Sequence, residues 1–281
     1  MPNKPIHADP ARLAELYAQL AARVQEHPPE LALPLYVADR CCGWATHAAC
    51  DALGRLAQVR VQPDALRIGT GLAPGPELNA LLANVALTLR QADCLRGWRD
   101  ELLDVTAGDE HLGAIERAAM RPLGLLTRAV HLNAWTPDGR LWIARRALSK
   151  STDPGMWDTL VGGLAGSQED LEQALLRECA EEAGLEPAPL AGRSPLRTIL
   201  RMHRRLPEGY QVEDLLTSTC ILPAGTQPAN RDGEVMEITH VTVDQAAQRV
   251  AEGEFTVEAS LVILEDIMQR HARGEIRATG A

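Results

Sequence analysis

GGLAGSQEDLEQALLRECAEEAGL, from Gly162 to Leu185, is the segment from which the fold of this chain is most readily predicted. It carries six carboxylates and a single cation, Arg177. Its apolar residues recur at helical spacing, which predicts a helix with one face packed on a sheet. Glu178, Glu181 and Glu182 share a neighbouring face near the end of that helix. Like charges repel at this spacing and also meet the negative end of the helix dipole, so the arrangement needs a reason other than helix stability.

A bound divalent cation would resolve this conflict of charge. Hard ions such as Mg²⁺ bind carboxylate oxygens together with waters and substrate phosphates. Gly184 predicts the end of the helix, and Gly162 and Gly163 allow the preceding loop to approach a ligand closely. Arg177 is always cationic and cannot join a metal site, so we expect it to pair with Glu169.

The spacing resembles the Nudix hydrolase signature, Gly-x5-Glu-x7-Arg-Glu-U-x-Glu-Glu-x-Gly-U, in which U is an apolar residue. The fixed positions are filled by Gly163, Glu169, Arg177, Glu178, Glu181, Glu182 and Gly184. Cys179 is a mild departure at the first U position, and Leu185 fills the second. The resemblance implies Mg²⁺- or Mn²⁺-dependent hydrolysis of a small-molecule diphosphate linked to another moiety. It implies a metal site at Glu178, Glu181, Glu182 and Gly163, and structural roles for Glu169, Arg177 and Gly184.

Three further segments carry a narrower resemblance: GWRDELLDV at 97–105, HLNAW at 131–135 and LWIARRALSKSTDPGMWDTLVGG at 141–163. They look like Nudix proteins that occur alone or fused to thiamine pyrophosphokinase in fungi and that carry an N-terminal extension. Some members of that group hydrolyse oxidised or toxic analogues of thiamine diphosphate to monophosphates, so this resemblance implies such substrates. Nucleotide diphosphates such as ADP-ribose or NADH are the alternative.

The general base is a separate question, because in the family it lies in the signature or on a later loop. Glu234, in NRDGEVMEITHV at 230–241, lies just before a predicted strand and is our candidate. Glu237 and Glu213 are weaker candidates, and a solvated surface acid is the alternative for all three. The predicted catalytic residues are therefore Glu178, Glu181, Glu182 and Glu234.

The predicted substrate contacts precede the signature: Arg145, Arg146, Lys150, Trp157, His131 and Asn133. Arginine suits bidentate binding of phosphate. Because strand side chains alternate, only one of Arg145 and Arg146 can face the site. Trp157 could stack on a flat substrate group or anchor the core. His131 and Asn133 point the same way, either to the substrate or into a buried pair.

The net charge, the apolar runs and the cysteines of the chain limit the classes of function that it can have. The net charge of −10 argues against a nucleic-acid partner, because such surfaces depend on Lys and Arg. We find no secretory signal and no apolar run long enough to span a bilayer, so we expect a cytoplasmic protein without a membrane partner. Cys41, Cys42, Cys50 and His47 lack regular metal-ligand spacing and are interpreted as reduced thiols beside an ordinary histidine.

The chain is predicted to hold two units of the α/β (α+β) class. The Pro- and Gly-containing segment RPLG at 121–124 is the predicted domain boundary. It separates a smaller mixed α/β extension, 1–120, from an α/β/α sandwich with a mixed sheet, 121–281. In the extension we predict helices at 9–25, 46–57, 75–93 and 109–120, a strand or extended segment at 31–45 and a strand at 59–69. Hairpins are predicted around the turns at 137–140 and 207–210, with a loop at 149–163. The extension is a lid, a dimer surface or a scaffold, and a homodimer stays open.

Two other functions share parts of this pattern. Isopentenyl diphosphate isomerases of the Nudix fold share the sequence segments WDT and GG, but they need a catalytic cysteine in a segment that we do not find here. A non-enzymatic sensor is the third option, although such proteins usually have decayed signatures and this one is intact.

Overall fold

The computed structural model describes residues 8–150 and 152–276. Helices of these residues are α1 (Pro10–Arg23), α2 (His47–Leu53), α3 (Pro76–Gln91), α4 (Leu171–Ala183), α5 (Val243–Glu252) and α6 (Val257–Ala272). The strands of the first part are β1 (Leu33–Val37), β2 (Arg40–Ala45), β3 (Val59–Val61), β4 (Leu66–Ile68), β5 (Leu102–Ala107) and β6 (Glu110–Glu116). The later strands are β7 (Leu126–Trp135), β8 (Leu141–Arg146), β9 (Trp157–Thr159), β10 (Val161–Leu164), β11 (Arg197–Leu206), β12 (Gly209–Ile221) and β13 (Val235–Val241).

A mixed sheet forms the centre of the larger unit. Its main order is β11-β12-β7-β8-β13, with β10 paired to β7 and β9 paired to β8. Strands β12 and β7 run parallel, whereas β11–β12 and β8–β13 are antiparallel. The hairpins predicted around 137–140 and 207–210 are present. The segment predicted as a loop at 149–163 contains the short strands β9 and β10, which were missed because each is only three or four residues long.

Helices cover both faces of this sheet, which confirms the predicted α/β/α sandwich. Successive residues of β7 alternate between the two layers, as strand geometry requires. Ala129 packs in a cluster with Ile263 of α6, whereas Val130 packs with Leu175 of α4. Helix α4, which carries the signature, therefore packs on one face of the sheet, and α6 packs on the other face.

The smaller unit is built on a second sheet and a hairpin. The sheet has the order β2-β1-β4-β3, and β5 pairs with β6 beside helix α3. Two predictions were wrong here. Residues 109–120, predicted as a helix, form β6 and a short 3₁₀ turn, because cross-strand pairing with β5 overrides the local propensity. The strand or extended segment predicted at 31–45 and the strand predicted at 59–69 are each a pair of antiparallel strands.

Helix α1 lies with the larger unit rather than with the remainder of the predicted extension. Leu13 and Leu20 of α1 are buried in the same cluster as Ile263 of α6. The smaller unit has a hydrophobic core of its own, which includes Leu35 of β1 and Leu82 of α3. Among the described residues, no helix combines the length and apolar content that a membrane span requires.

Candidate active site

Helix α4 is anchored by its one arginine. Arg177 donates to both oxygens of Glu169 at 2.8 and 2.9 Å, which is the predicted ion pair. It also donates to the Leu164 carbonyl at 3.1 Å and to the carboxylates of Glu178 and Glu181 at 2.7 and 3.1 Å. This guanidinium holds the pKa of Glu169 below its ordinary value. One cation thus ties the loop before α4 to the helix and neutralises part of its charge.

The signature glycine is explained by the close approach of Glu178. A Cβ placed on Gly163 would overlap the Glu178 carboxyl group, so any other residue at this position would displace it. Burial raises the pKa of Glu178, against the opposing effect of Arg177. Gly184 ends the helix in the left-handed region with φ 62°, as the sequence predicted.

Glu182 is the most buried carboxylate of the signature, with 5% of the residue exposed. Its Oε2 accepts from the backbone N–H of Gly162 at 2.9 Å, and its Oε1 lies 3.5 Å from the ammonium of Lys150. Burial raises the pKa of Glu182 to about 7, although Lys150 acts in the opposite direction. A carboxylate placed this way favours a cation that would hold it in the charged form.

A later loop reaches Glu182 because it closes the end of α4. The last carbonyls of a helix have no partner within it. Here the N–H groups of Ala229 and Arg231 donate to the carbonyls of Ala183 and Glu181 at 2.8 and 3.0 Å. The Glu234 carbonyl, in turn, accepts from Ala147 at 2.9 Å. These contacts hold the loop 229–234 between α4 and the end of β8.

Three carboxylates converge as a result, and we call Glu182, Asp232 and Glu234 the carboxylate end. One oxygen from each lies within 4.8 Å of the others. The ammonium of Lys150 contacts both Glu182 and Glu234, so a cation is already favoured at this point. Oxygen donors of this kind fit a hard ion such as Mg²⁺ or Mn²⁺.

The convergence differs from the predicted set of metal ligands. Glu178 and Glu181 are engaged by Arg177, and the Glu181 side chain is 47% exposed. Asp232 was missed, because only its position on the docked loop brings it beside Glu182. Its signal was its place two residues before Glu234, where its Oδ1 accepts from the Glu234 N–H at 2.8 Å.

A cleft opens beside the carboxylate end. Lys150, Gly162, Gly163 and Glu234 line it together with Arg146, which pairs with Asp158 at 2.8 Å. Of the neighbouring Arg145 and Arg146, only one was expected to face the site, and Arg145 is the one that lies at the surface. The structure places its guanidinium 3.8 Å from Glu237 and 5.7 Å from the Trp157 ring, away from the cleft lining.

Arg99 and Arg117 of the smaller unit and Arg121 at the junction of the two units line the other side of the cleft, and we call these three residues the arginine wall. Arg117 pairs with Glu101 at 2.8 Å. Burial lowers the pKa of Lys150, and the charge of Arg117 adds a smaller effect in the same direction. Arg121 pairs with Glu208 and donates to Thr152 at 3.2 Å. None of these arginines was predicted, because they lie outside the signature and reach the cleft only through the contact between the two units.

Glu213, Gln211 and Glu258 form what we call the inner end of the cleft. The Gln211 amide nitrogen donates to Glu213 at 2.9 Å and to Glu258 at 3.3 Å. Glu213 also accepts from Thr127 at 2.7 Å. Burial and the nearby Glu258 raise the pKa of Glu213. Glu213, one of the weaker candidates for the base, therefore lies in the cleft, but on the inner end rather than the carboxylate end.

The remaining predicted substrate contacts divide between cleft and core. His131 lines the cleft, and its Nδ1 lies 3.0 Å from Thr159 Oγ1. Asn133 is fully buried and donates to the Val262 carbonyl at 3.1 Å, so it holds α6 on the sheet instead of facing the cleft. Trp157 packs in the core cluster under Arg249, whose guanidinium lies 4.8 Å from its ring centroid. This packing favours the core alternative for Trp157 over stacking on a substrate.

Comparison with known proteins identifies the part of the chain that carries this site. Residues 125–261 match the model of the NUDIX domain. Nudix hydrolase 24, chloroplastic, of Arabidopsis thaliana is 31% identical over 200 residues, covering 69% of this chain and 54% of that protein. Nudix hydrolase 20, chloroplastic, of the same plant is 33% identical over 196 residues, covering 68% and 52%.

The crystal structure of DR0079 from Deinococcus radiodurans aligns with 60% of this chain and 99% of its own at 25% identity, with a TM-score of 0.44. This chain spans about half the length of the two plant proteins, 54% and 52%. Both plant proteins are named as chloroplastic, so the cytoplasmic location stays a prediction.

Proposed function

We propose that the protein is a hydrolase that cleaves a diphosphate linked to another moiety, with Mg²⁺ or Mn²⁺, because residues 125–261 match the model of the NUDIX domain. The observation that carries this proposal is the convergence of Glu182, Asp232 and Glu234 within 4.8 Å at the mouth of a cleft. Acidic groups that would hold metal and basic groups that would hold phosphate thus face one small-molecule site.

The carboxylate end supplies the metal ligands in this proposal. Glu182, Asp232 and Glu234 would hold the ion, and Glu178 lies behind Gly163 as a further carboxylate on α4. When bound, such an ion neutralises phosphate charge and lowers the pKa of a coordinated water. Lys150 would move from its contact with Glu234 to a phosphate oxygen as the ligand enters.

Glu234 remains our candidate for the proton acceptor. Its side chain is 43% exposed, so water can reach it, whereas Glu182 is almost completely buried. Asp232 and the backbone contact to Ala147 fix the position of Glu234 at the cleft mouth. With one oxygen of Glu234 on the ion, its other oxygen would take the proton of an attacking water and release it to solvent.

The arginines bind the diphosphate. Arg146 is fixed by Asp158 and by the Thr152 carbonyl, which accepts at 3.0 Å, so its orientation is set before a ligand arrives. Arg117 approaches from the smaller unit and Arg121 from the junction of the two units. Of the roles open to the N-terminal extension, we therefore propose that it completes the substrate site as a fixed wall.

Among diphosphates, we propose analogues of thiamine diphosphate, cleaved to the monophosphate and phosphate. The support is the similarity of the segments 97–105, 131–135 and 141–163 to the thiamine-related Nudix proteins. Arg99, Glu101, Arg146, Lys150 and Asp158 in those segments contribute to the cleft or to its ion pairs. ADP-ribose and NADH are the competing substrates.

The test is a product assay with the purified chain and Mg²⁺ over a panel of thiamine diphosphate, its oxidised analogues, ADP-ribose, NADH and isopentenyl diphosphate. The proposal predicts release of a monophosphate that stops when EDTA is added. Conversion of isopentenyl diphosphate without release of phosphate would show an isomerase instead. Binding of a ligand without turnover of any panel member would show a sensor.

A further inference from the structure

The hairpin of β5 and β6 in the smaller unit is joined to the loop that precedes the signature helix α4. The backbone N–H of Ser167 donates to the Leu102 carbonyl at 2.8 Å. One carboxylate oxygen of Asp104, Oδ1, accepts from the Ser167 hydroxyl at 2.8 Å and from the backbone N–H of Gln168 at 3.0 Å. These hydrogen bonds hold two consecutive residues of the loop on the hairpin.

This loop needs support from outside itself. Gln168 has a φ of 58°, in the left-handed region, which a residue with a Cβ keeps only where its surroundings hold it. The next two residues are Glu169, which pairs with Arg177, and Asp170, whose side chain caps the N-terminus of α4. The signature leaves positions 164–168 open, so the residues that hold this loop are supplied by the rest of the chain.

The same hairpin carries part of the arginine wall. Arg117 directly follows β6, and its backbone N–H donates to the Glu101 carbonyl at 2.8 Å. Its guanidinium pairs with the Glu101 carboxylate, also at 2.8 Å. Strand pairing places Leu102 of β5 opposite Glu116, the residue before Arg117. Because hydrogen-bonded strands move together, a contact made by Asp104 of β5 also sets the position of Arg117.

The other partner in this contact, the loop, is continuous with the strand that positions two carboxylates of α4. In β10, the N–H of Gly162 donates to Glu182 at 2.9 Å, and Gly163 lies against the Glu178 carboxyl group. Residues 165 and 166 alone separate the end of β10 from Ser167. The contact therefore links the hairpin that carries part of the arginine wall to the segment that positions the carboxylates.

We propose that Asp104 is a positioning residue that holds the β5–β6 hairpin on the signature loop and so sets the separation between Arg117 and the carboxylates of α4. A diphosphate that bridges the cleft contacts both sides, and groups already fixed at the right separation bind it at a lower cost of ordering. The consequence for diphosphate binding rests on the proposed function, whereas the contact between hairpin and loop does not.

The first measurement is amide hydrogen exchange of the ligand-free chain. Asp104→Ala removes the acceptor, and exchange at Gln168 should rise about tenfold. Asp104→Asn keeps Oδ1 in a side chain of the same shape and should stay within twofold of the wild type. Glu110→Ala is the matched control with the same expectation, since Glu110 lies in the same hairpin but pairs with Arg40 of the smaller unit. Exchange at Leu215, buried in β12, is the reference for global stability and should not change.

The second measurement is calorimetric binding of methylenediphosphonate, a diphosphate analogue that resists hydrolysis, in the presence of Mg²⁺. Asp104→Ala should weaken binding about fivefold, and Asp104→Asn and Glu110→Ala should stay within twofold of the wild type. Because Asp104 acts through Arg117, the double variant Asp104→Ala/Arg117→Ala should bind within twofold of Arg117→Ala alone. Two independent losses would multiply instead.

Ser167→Ala, which removes one donor to Asp104, replaces Asp104→Ala if that variant fails to fold by circular dichroism. A rise of about threefold in exchange at Gln168 is then expected, with a smaller loss of affinity that again disappears in the Arg117→Ala background.

The inference is overturned if exchange at Gln168 stays at the wild-type rate, or if Glu110→Ala raises it as much as the change at Asp104. It is also overturned if affinity for the analogue is unchanged, or if the losses multiply in the double variant. A wild type that does not bind the analogue, with exchange at Gln168 responding as expected, refutes the proposed function and leaves the contact standing.

Discussion

The cleft has two ends that are assembled from the chain in different ways. The carboxylate end depends on Glu182 of α4 and on a loop that docks on the end of that helix. The inner end combines Gln211 and Glu213 of β12 with Glu258 from the start of α6. One end joins a thirteen-residue helix to a loop docked on its last turn, and the other joins a strand of the central sheet to the start of α6.

Their polar groups also differ in how well they are satisfied. Around α4, Arg177 alone satisfies three carboxylates and a carbonyl. At the inner end, acceptors of Gln211 and Glu258 remain unpaired. A fully satisfied hydrogen-bond network of this kind holds the helix in a fixed position. Unpaired buried acceptors, by contrast, indicate where a ligand could supply the missing hydrogen bonds.

The largest effect is expected at the carboxylate end. Glu182→Gln keeps the hydrogen bond from Gly162 but removes the charge that would hold the metal. Loss of several kcal/mol of transition-state stabilisation corresponds to a fall in kcat on the order of 10³-fold. Phosphate release from the best substrate of the panel measures it, with circular dichroism as the check on folding. A kcat within threefold of the wild type would remove Glu182 from the mechanism.

A second substitution tests the packing that supports the same end. Gly163→Ala would force the Glu178 carboxyl group out of its place. Overpacking of this kind costs about 1–3 kcal/mol of unfolding free energy, and we expect a tenfold or larger fall in activity with it. Gly192→Ala is the control, because a Cβ there meets open space. Equal denaturant midpoints for the two variants would contradict the assigned contact.

The arginine wall should affect binding of the substrate more than its turnover. Arg117→Ala removes a cation that faces the cleft, and we expect KM to rise about tenfold with kcat changed much less. Arg40→Ala is the matched control, since Arg40 also forms an ion pair within the smaller unit, with Glu110 at 3.1 Å, but away from the cleft. Steady-state kinetics of both variants measures KM and kcat separately. Equal KM values would return the extension to a purely structural role.

The smallest expected effect concerns pH. Arg177 lowers the pKa of Glu169, so this pair stabilises the fold above the ordinary glutamate pKa of 4.5 and loses its contribution as the pH falls below that value. Glu169→Gln should therefore be less stable than the wild type at pH 7, and the difference should shrink towards pH 3. Urea unfolding across this range measures it, and a difference independent of pH would indicate a role other than charge.

The contrast between the two ends also explains what the sequence could predict. Glu169, Arg177, Glu178 and Gly184 have roles fixed by spacing along one helix, and the ion pair and helix end were predicted correctly. The α/β/α sandwich was predicted from the order of strands and helices along the chain. Such features depend on neighbours that are close in sequence.

The features that were missed depend on tertiary contacts. Asp232 joins Glu182 only because a loop satisfies the last carbonyls of α4. Arg117 reaches the cleft only because the smaller unit packs on the larger one. Asn133 shares a strand face with His131, yet α6 covers it and turns it into a core residue. Alternation along a strand gives the face of a side chain but not what lies above that face.

The most direct test of the central claim is to locate the metal. Crystals of the wild type grown with Mn²⁺ should show an anomalous peak among the carboxylate oxygens of Glu182, Asp232 and Glu234, with the Lys150 ammonium displaced from it. Glu182→Gln crystals treated identically should show a weakened peak or none. A wild-type structure with Mn²⁺ bound elsewhere, or with Lys150 still seated between Glu182 and Glu234, would contradict the account.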